Sequence, residues 1–572
     1  MSARAEQASG PAGGGLWSRI SGWADRWSDR GLNLAVVVFV VLLTAMVLYP
    51  MLTLVARASK DFDKTLTHVI ESPMLPAVMF NTFALGVASL IIALILGITL
   101  ALCTARLHAK LQNFAILACV TPIILPPVAA VTGWTFIFAP TIGFGNVFLR
   151  TLTGSAERSG PVDIYSIEWI IWITSLYLIG YVFMFVNAAL RNVNPAIEDA
   201  ARLAGAGWWR AQLTVILPAI RPAIFYSAVI AFLLGLGQFT APILLGRARG
   251  IDVITTMMFR EVASFPPAYE AASLLAMPLA GLAIAVAFLQ RRLIGPLARY
   301  SETGSKGATA WRPGNQFAAL GPLAYGLVAV VPPLLALGVV SLMPFWTAVV
   351  DPLKFTVRHF VTVLTADRFL GAIIDTVVLA AIGTLAGTVL AVAAALVLVR
   401  KQSRLTPVLD TVVNLPVAIP GIVLGLGMLL SFGLGPLNLY GHKVLFIVAW
   451  NILYLPFGLR MAVAGLIQIS PQLENAARLS GAGKLRAFAK ITLPLWRNSL
   501  VTGAILLFIL MSHEFSAAAM LRTSETQVMA TRLYDVWETG IYPQVAALAL
   551  VMVITSVLSV LLLLVVRGRR SQ

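Results

Sequence analysis

The sequence predicts an all-α polytopic membrane protein of about twelve transmembrane helices, arranged as two parallel six-helix repeats. Three observations carry that expectation. Of 572 residues, 59% are hydrophobic and 11% charged, whereas a soluble domain carries about a quarter charged. Apolar runs of bilayer-crossing length, about 20 residues, recur along the whole chain. An eight-residue motif also occurs twice, 276 residues apart. The same composition excludes a soluble enzyme of this length. It excludes a disordered chain as well, which would be polar and charge-rich.

In chain order, residues 1–34 form a leader with a Gly-rich stretch, GPAGGG, at 10–15. In the following segment Trp17, Ile20, Ala24 and Trp27 recur at helical spacing, with arginines between them. Two readings stand: a helix lying in the headgroup plane, or a Trp-rich membrane flank. Ala56-Arg57-Ala58 resembles a signal cleavage site, but the long leader and a run able to cross fully favour a retained first span. The first six spans are expected at about 35–55, 79–105, 114–139, 167–190, 222–246 and 270–290. The second six fall at about 319–346, 373–399, 409–432, 443–466, 498–521 and 544–566. This divides the chain into a first half at 35–295, a linker at 296–318 and a second half at 319–572. Proline and glycine inside several spans are compatible with membrane helices when neighbours re-satisfy the backbone.

The net charge of +17 points to orientation rather than to nucleic acid. With the N-terminus and alternate loops on one side, that side holds 27 of the 41 Lys and Arg residues and 8 of the 24 acids. Basic residues concentrate in cytoplasmic loops, so both termini are expected in the cytoplasm of a bacterial inner-membrane protein. Cys103 and Cys119 lie in or beside apolar runs and read as small hydrophobes rather than as a disulfide framework.

The two halves align by numbering. EDAARLAG (198–205) matches ENAARLSG (474–481), and the same offset carries Pro218 onto Pro494, Gln238-Phe239 onto Glu514-Phe515, and Thr255 onto Thr531. Earlier in each half the offset is 294, placing Asn81 on Asp375, Pro122 on Pro416 and Pro126 on Pro420. The difference is an 18-residue insertion in the first half, expected in the polar stretch 149–163. An even number of spans per half gives both the same orientation. Such parallel repeats are related by a pseudo-two-fold axis along the membrane normal, with a translocation path between them.

The clearest repeated signal is a loop between the fourth and fifth spans of each half: NPAIEDAARLAGAGWWRAQLTVILP (194–218) and SPQLENAARLSGAGKLRAFAKITLP (470–494). Each opens with proline after Asn or Ser, a helix start, and places Glu in the first turns, where the helix dipole favours acid. Gly205 and Gly481 can end that helix. The expected product is a short cytoplasmic helix parallel to the membrane.

This pattern, E-x-A-A-x-x-x-G followed by a proline preceded by leucine, closely resembles the EAA loop of ABC importer permeases. The resemblance covers about 79–290 and 373–566, the core of each half. It implies that Glu198, Ala200, Ala201 and Gly205, with Glu474, Ala476, Ala477 and Gly481, form coupling helices that dock on an ATP-hydrolysing subunit. Val215 stands where that family often has Ile. Arg202 and Arg478 have two readings, pairing with acids of the partner or with lipid phosphate. The resemblance further implies two copies of an ATPase subunit carrying ATP and Mg, and a periplasmic substrate-binding protein. It implies no cofactor or metal in this chain and no nucleic-acid partner.

The chain is not expected to be an enzyme. A phosphate-cradling loop needs G-x-x-x-x-G-K-[ST], and the nearest stretch, Gly481-Ala482-Gly483-Lys484-Leu485, lacks the leading glycine and the hydroxyl. A 6+6 secondary transporter is disfavoured, because the loops RLHAKLQN and RKQSRLTP carry no G-x-x-x-D-R-x-G-R-R motif. His513-Glu514 begins like H-E-x-x-H, but Ala517 ends it without a zinc pair.

For the path, Glu514 faces Gln238 across the repeat as Asp375 faces Asn81. Intramembrane acids are functional candidates by default. The alternatives are an acidic lining for a cation or an amine, and buried acids paired with a base or a helix end. The fused two-half form resembles ferric-iron permeases, which implies ferric iron as substrate. 2-Aminoethylphosphonate, thiamine and polyamines remain as alternatives.

Overall fold

The computed structural model describes residues 29–155, 157–301, 316–401 and 406–568. The leader with its interfacial-helix reading, and most of the linker, lie outside them. Among the described residues the secondary structure is helical throughout, and ten helices are long and apolar enough to cross a membrane. Two bent helix pairs raise this to twelve when each pair is one span. Those pairs occupy the third and ninth spans of the sequence reading. Ala109–Ile124 meets Pro127–Phe138 at 94°, and Thr406–Val417 meets Gly421–Gly433 at 106°.

Proline chemistry places both bends. A residue preceding proline is pushed out of the helical region. Leu125, before Pro126, is extended with ψ 128°, and Pro126, before Pro127, is extended too. In the second pair Pro420 is itself extended, with ψ 136°, and opens the second arm at Gly421.

The remaining spans follow the apolar runs: Val36–Ala58, Leu75–Ala105, Ile167–Leu190, Arg221–Arg249, Tyr269–Val286, Gln316–Leu342, Asp367–Arg400, Val444–Ile467, Lys484–Ser512 and Tyr542–Leu562. They pack where small residues admit close approach, as lipid-embedded helices must. The Cα of Gly97 faces Val182, Gly180 faces Ile123 and Gly458 faces Leu507.

Each half's first span crosses onto the other half. In the first span Val40 and Leu43 share a buried cluster with Ala391, Leu455 and Trp496. Tyr49 meets Phe432 edge-on at 5.4 Å. In the seventh span the Tyr325 hydroxyl donates to the Leu176 carbonyl at 2.6 Å, and Gly326 lies against Ala118. The first span stays tied to its own half as well, through Arg57 and Glu270 at 3.1 Å. The two halves are therefore clasped rather than merely apposed.

The first-half insertion folds as the helix Phe144–Thr153 and the loop after it. Buried Asn146 fixes it, donating to the carbonyls of Phe138, Ala139 and Val162 and accepting from the Val162 amide at 3.1 Å.

One register differs from the sequence alignment. The helices Ile254–Ala263 and Met529–Glu538 each carry a threonine at the third position whose hydroxyl accepts from the amide of the residue before the helix, Thr256 from Val253 and Thr531 from Val528. Thr531 thus corresponds to Thr256, not to Thr255. The second half is one residue shorter between Phe515 and this helix.

Candidate coupling loops and the path between the halves

In the first loop the Asn194 side chain accepts from the Ala196 amide at 3.0 Å and starts the helix Ala196–Leu203. In the second, Ser470 accepts from the Gln472 amide at 3.3 Å and starts Pro471–Leu479. Both are side-chain caps on otherwise orphaned N–H groups.

Both helices stop in the same way. Gly205 has φ +86° and Gly481 has φ +88°, the left-handed region that a Cβ disfavours. The amide of Gly205 bonds to the Arg202 carbonyl, and that of Ala206 to the Ala201 carbonyl; Gly481 to Arg478 and Ala482 to Ala477 repeat the pattern, all at 3.0 Å. This pair of bonds is a Schellman closure. Ala201 and Ala477, whose carbonyls accept these bonds, are half-buried, while Ala200 and Ala476 are exposed. After an extended Gly207 or Gly483, one helical turn leads into five π-helical residues, Gln212–Ile216 or Phe488–Thr492, ahead of Leu-Pro.

The outward faces match. Leu203 is 91% exposed and Leu479 is 90% exposed, and Arg202 and Arg478 are exposed beside them. The inward glutamates do not match. Glu198 is buried and accepts from Arg106 at 2.7 Å, whose guanidinium lies 5.3 Å from the Trp208 ring. Glu474 is half-buried and accepts from the Thr492 hydroxyl.

From the first loop the helix Arg221–Leu236 runs about 24 Å, at 1.5 Å per residue, to a break at Gly237-Gln238-Phe239. The corresponding break after Leu493–Ser512 is His513-Glu514-Phe515. Here the halves meet. The Phe239 and Phe515 rings stack at 5.3 Å, and Phe259 and Tyr534 close the group edge-on at 6.0 Å. All four residues are buried. Thr82 and Thr376 accept from the amides of Ile254 and Met529, anchoring the helices that carry Phe259 and Tyr534.

Glu514 sits at the break and is buried. Its carboxylate accepts from the amides of Ala517 at 2.7 Å and Ala518 at 2.8 Å, and from the Trp450 indole at 3.3 Å. Gln238 accepts from the Phe239 amide at 3.1 Å. Beside it is a cavity of about 40 Å³ bordered by Tyr177 and Trp134. His513 hydrogen-bonds Ser556. Asp375 pairs with Lys443 at 2.6 Å, and Asn81 donates to the Asp252 carbonyl at 3.1 Å. The structure thus brings Gln238 and Glu514 to matching breaks and gives Asp375 a separate ionic partner. Among the described residues no three His, Cys, Asp or Glu side chains group to hold a metal.

Sequence reasoning did not single out Arg106, Trp450, Thr492 or the aromatic quartet. Only Phe239 and Phe515 carried a signal, as aligned neighbours of Gln238 and Glu514. Pairing across the halves is non-local and invisible to spacing.

The family model for the binding-protein-dependent transport system inner membrane component matches residues 93–296 and 383–571. The putative ferric transport system permease protein FbpB 1 of Haemophilus influenzae is 24% identical over 510 residues, covering 87% of this chain and 79% of that protein. The ferric transport system permease protein FbpB of Actinobacillus pleuropneumoniae is 24% identical over 538 residues, covering 90% and 75%. The putative 2-aminoethylphosphonate transport system permease protein PhnV of Salmonella paratyphi A is 28% identical over 226 residues, covering 40% of this chain and 84% of its own length.

Proposed function

We propose, for a chain that belongs to the family of binding-protein-dependent transport system inner membrane components, that it forms the whole transmembrane path of an ABC importer for ferric iron. The observation that carries the coupling is the matched pair of loops. Two matching closures, at Gly205 and Gly481, each present an almost fully exposed leucine, Leu203 and Leu479. That suits two copies of one ATPase subunit, each taking one loop. Glu198, Ala200, Ala201, Arg202 and Gly205, and Glu474, Ala476, Ala477, Arg478 and Gly481, are the coupling residues in this reading. ATP and Mg belong to the partner.

Ferric iron is favoured over 2-aminoethylphosphonate because the ferric permeases match along most of the chain, whereas PhnV matches 40% of it. Selection of the cargo falls to a periplasmic binding protein. The halves 35–295 and 319–572 enclose the path, and the stacked Phe239 and Phe515, with Phe259 and Tyr534, close its end distant from the loops. Gln238 and Glu514 stand at that closure, while Asp375 lies at the flank beside Lys443.

Both termini and both coupling loops are cytoplasmic in this reading. Leu203 and Leu353 are 91% and 96% exposed and lie three spans apart. A membrane-impermeant maleimide on whole spheroplasts is therefore expected to label Leu353→Cys and not Leu203→Cys. The reverse pattern overturns the orientation. For the cargo, the permease reconstituted with its ATPase and the binding protein is offered ferric citrate or 2-aminoethylphosphonate. ATP-dependent accumulation of iron is the expected result, and accumulation of the phosphonate alone overturns it.

A further inference from the structure

We infer that Arg106 is a positioning residue: its buried ion pair with Glu198 fastens the first coupling loop to the end of the second span, whereas the second loop is fastened to its own outgoing span, so the two loops pass motion to different helices. The inference rests on the coupling reading for its functional consequence and on geometry alone for the fastening.

The arginine and the glutamate are the same in both halves. At the offset of 294 Arg106 corresponds to Arg400, and at 276 Glu198 corresponds to Glu474. They pair only in the first half. Arg106 meets Glu198 at 2.7 Å with side chains 13% and 7% exposed. Arg400 instead donates to the Ile469 carbonyl at 2.7 Å, and Glu474 takes the Thr492 hydroxyl.

Two substitutions between the halves decide the pairing. Thr492 corresponds to Ile216, fully buried and with no side-chain hydroxyl, and the loop's own hydroxyl, on Thr214, donates to the Arg210 carbonyl instead, so Glu198 lacks the partner that Glu474 has. Trp208 corresponds to Lys484. The Trp208 ring accepts the Arg106 guanidinium as a cation on its face, whereas a lysine there offers no such face and carries a like charge. A buried pair with its remaining polar groups satisfied holds geometry, and removing one member leaves an uncompensated charge. Displacement of the first loop must then be felt at Arg106, the end of Leu75–Ala105. Displacement of the second is felt at Thr492, which leads directly into Leu493–Ser512.

Hydrogen exchange on the permease alone, in lipid nanodiscs, tests the fastening without any ATPase. Arg106→Gln is expected to speed amide exchange in 196–211 at least tenfold and to leave 471–487 within twofold. Thr492→Val is expected to do the converse. Arg106→Lys, which keeps the charge and loses the planar stacking, is expected to recover part of the protection. A first-loop graft, Ile216→Thr with Trp208→Lys, is expected to restore protection to Arg106→Gln by giving Glu198 the hydroxyl. In the assembled transporter, Arg106→Gln is expected to lower transport per ATP hydrolysed at least fivefold, with Arg400→Gln within twofold of wild type. Equal exchange in both loops, or no change at 196–211, overturns the inference. If Arg106→Gln fails to insert, Glu198→Gln is read in the same way. Absence of ATP-driven transport in the wild-type complex would overturn the coupling reading instead, and the exchange result would still decide the fastening.

Discussion

At the break in the eleventh span Glu514 has three N–H donors, from Ala517, Ala518 and Trp450; at the break in the fifth span Gln238 has one, from Phe239. The backbone at the two breaks is alike, and so are the stacked phenylalanines that follow. The difference lies in the surroundings. At the offset of 276 Ala518 corresponds to Pro242, which has no N–H, and Trp450 corresponds to Thr174. A carboxylate in place of Gln238 would lose the amide that Ala518 supplies and would have the shorter Thr174 hydroxyl in place of the Trp450 indole. A buried charge persists only where hydrogen bonds meet it, so the acid stands in the half that can hold it. The coupling loops teach the converse. Their outward faces agree, Leu203 with Leu479 and Arg202 with Arg478, while their inward fastenings diverge. In the coupling reading, the surfaces that would meet two copies of one partner stay alike, and the surfaces that meet the rest of the chain are free to differ.

The largest expected effect is Glu514→Gln. Its amide nitrogen would confront N–H groups that now have an acceptor. Leaving buried donors unsatisfied costs about 2–3 kcal/mol, measured as a lower unfolding midpoint of the permease in nanodiscs. Retained stability with reduced iron uptake would instead favour the cation-lining alternative. Gln238→Glu is expected to cost about 2 kcal/mol for the same reason. Adding Pro242→Ala, which restores an amide, should recover part of that loss. If the double variant is no better than the single one, the missing proline N–H does not explain the asymmetry.

Smaller and equal effects are expected in the loops. Gly205→Ala and Gly481→Ala meet no atom within 4 Å, so only backbone strain acts, about 1–2 kcal/mol in the left-handed region. Proteolytic nicking of each loop should rise to the same extent. Unequal effects would mean the two closures are not equivalent. Leu203→Ser and Leu479→Ser are expected to leave the isolated permease within about 0.5 kcal/mol of wild type, as exposed substitutions do. Both should weaken binding of the ATPase subunit in a pull-down titration.

Much of this was legible in the sequence. The apolar runs coincide with ten membrane-length helices and with the two bent pairs, whereas the bends themselves were not legible, since Pro50, Pro333 and Pro456 sit inside unbroken helices. Local chemistry also placed the loop helices, since the caps at Asn194 and Ser470 and the stops at Gly205 and Gly481 depend only on neighbours. What could not be read was non-local. The crossing of the first and seventh spans onto the opposite halves leaves no periodic trace, and neither does the choice of Arg106 or Thr492 as the partner of a loop glutamate. The one-residue shift at Thr256 was hidden because Thr255 stands beside it. Glu514 stands out in the sequence as an intramembrane acid, but the amides of Ala517 and Ala518 and the Trp450 indole that meet its carboxylate come from neighbours that spacing does not reveal.

The central claim is that the two loops transmit ATP hydrolysis to the path. The direct measurement is iron accumulated per ATP hydrolysed in proteoliposomes holding the permease, its ATPase and the ferric-loaded binding protein, for wild type and for Gly205→Pro and Glu474→Lys. The account predicts that both variants insert and bind the ATPase subunit but accumulate little iron for the ATP they hydrolyse. Variants that transport at the wild-type rate would contradict it.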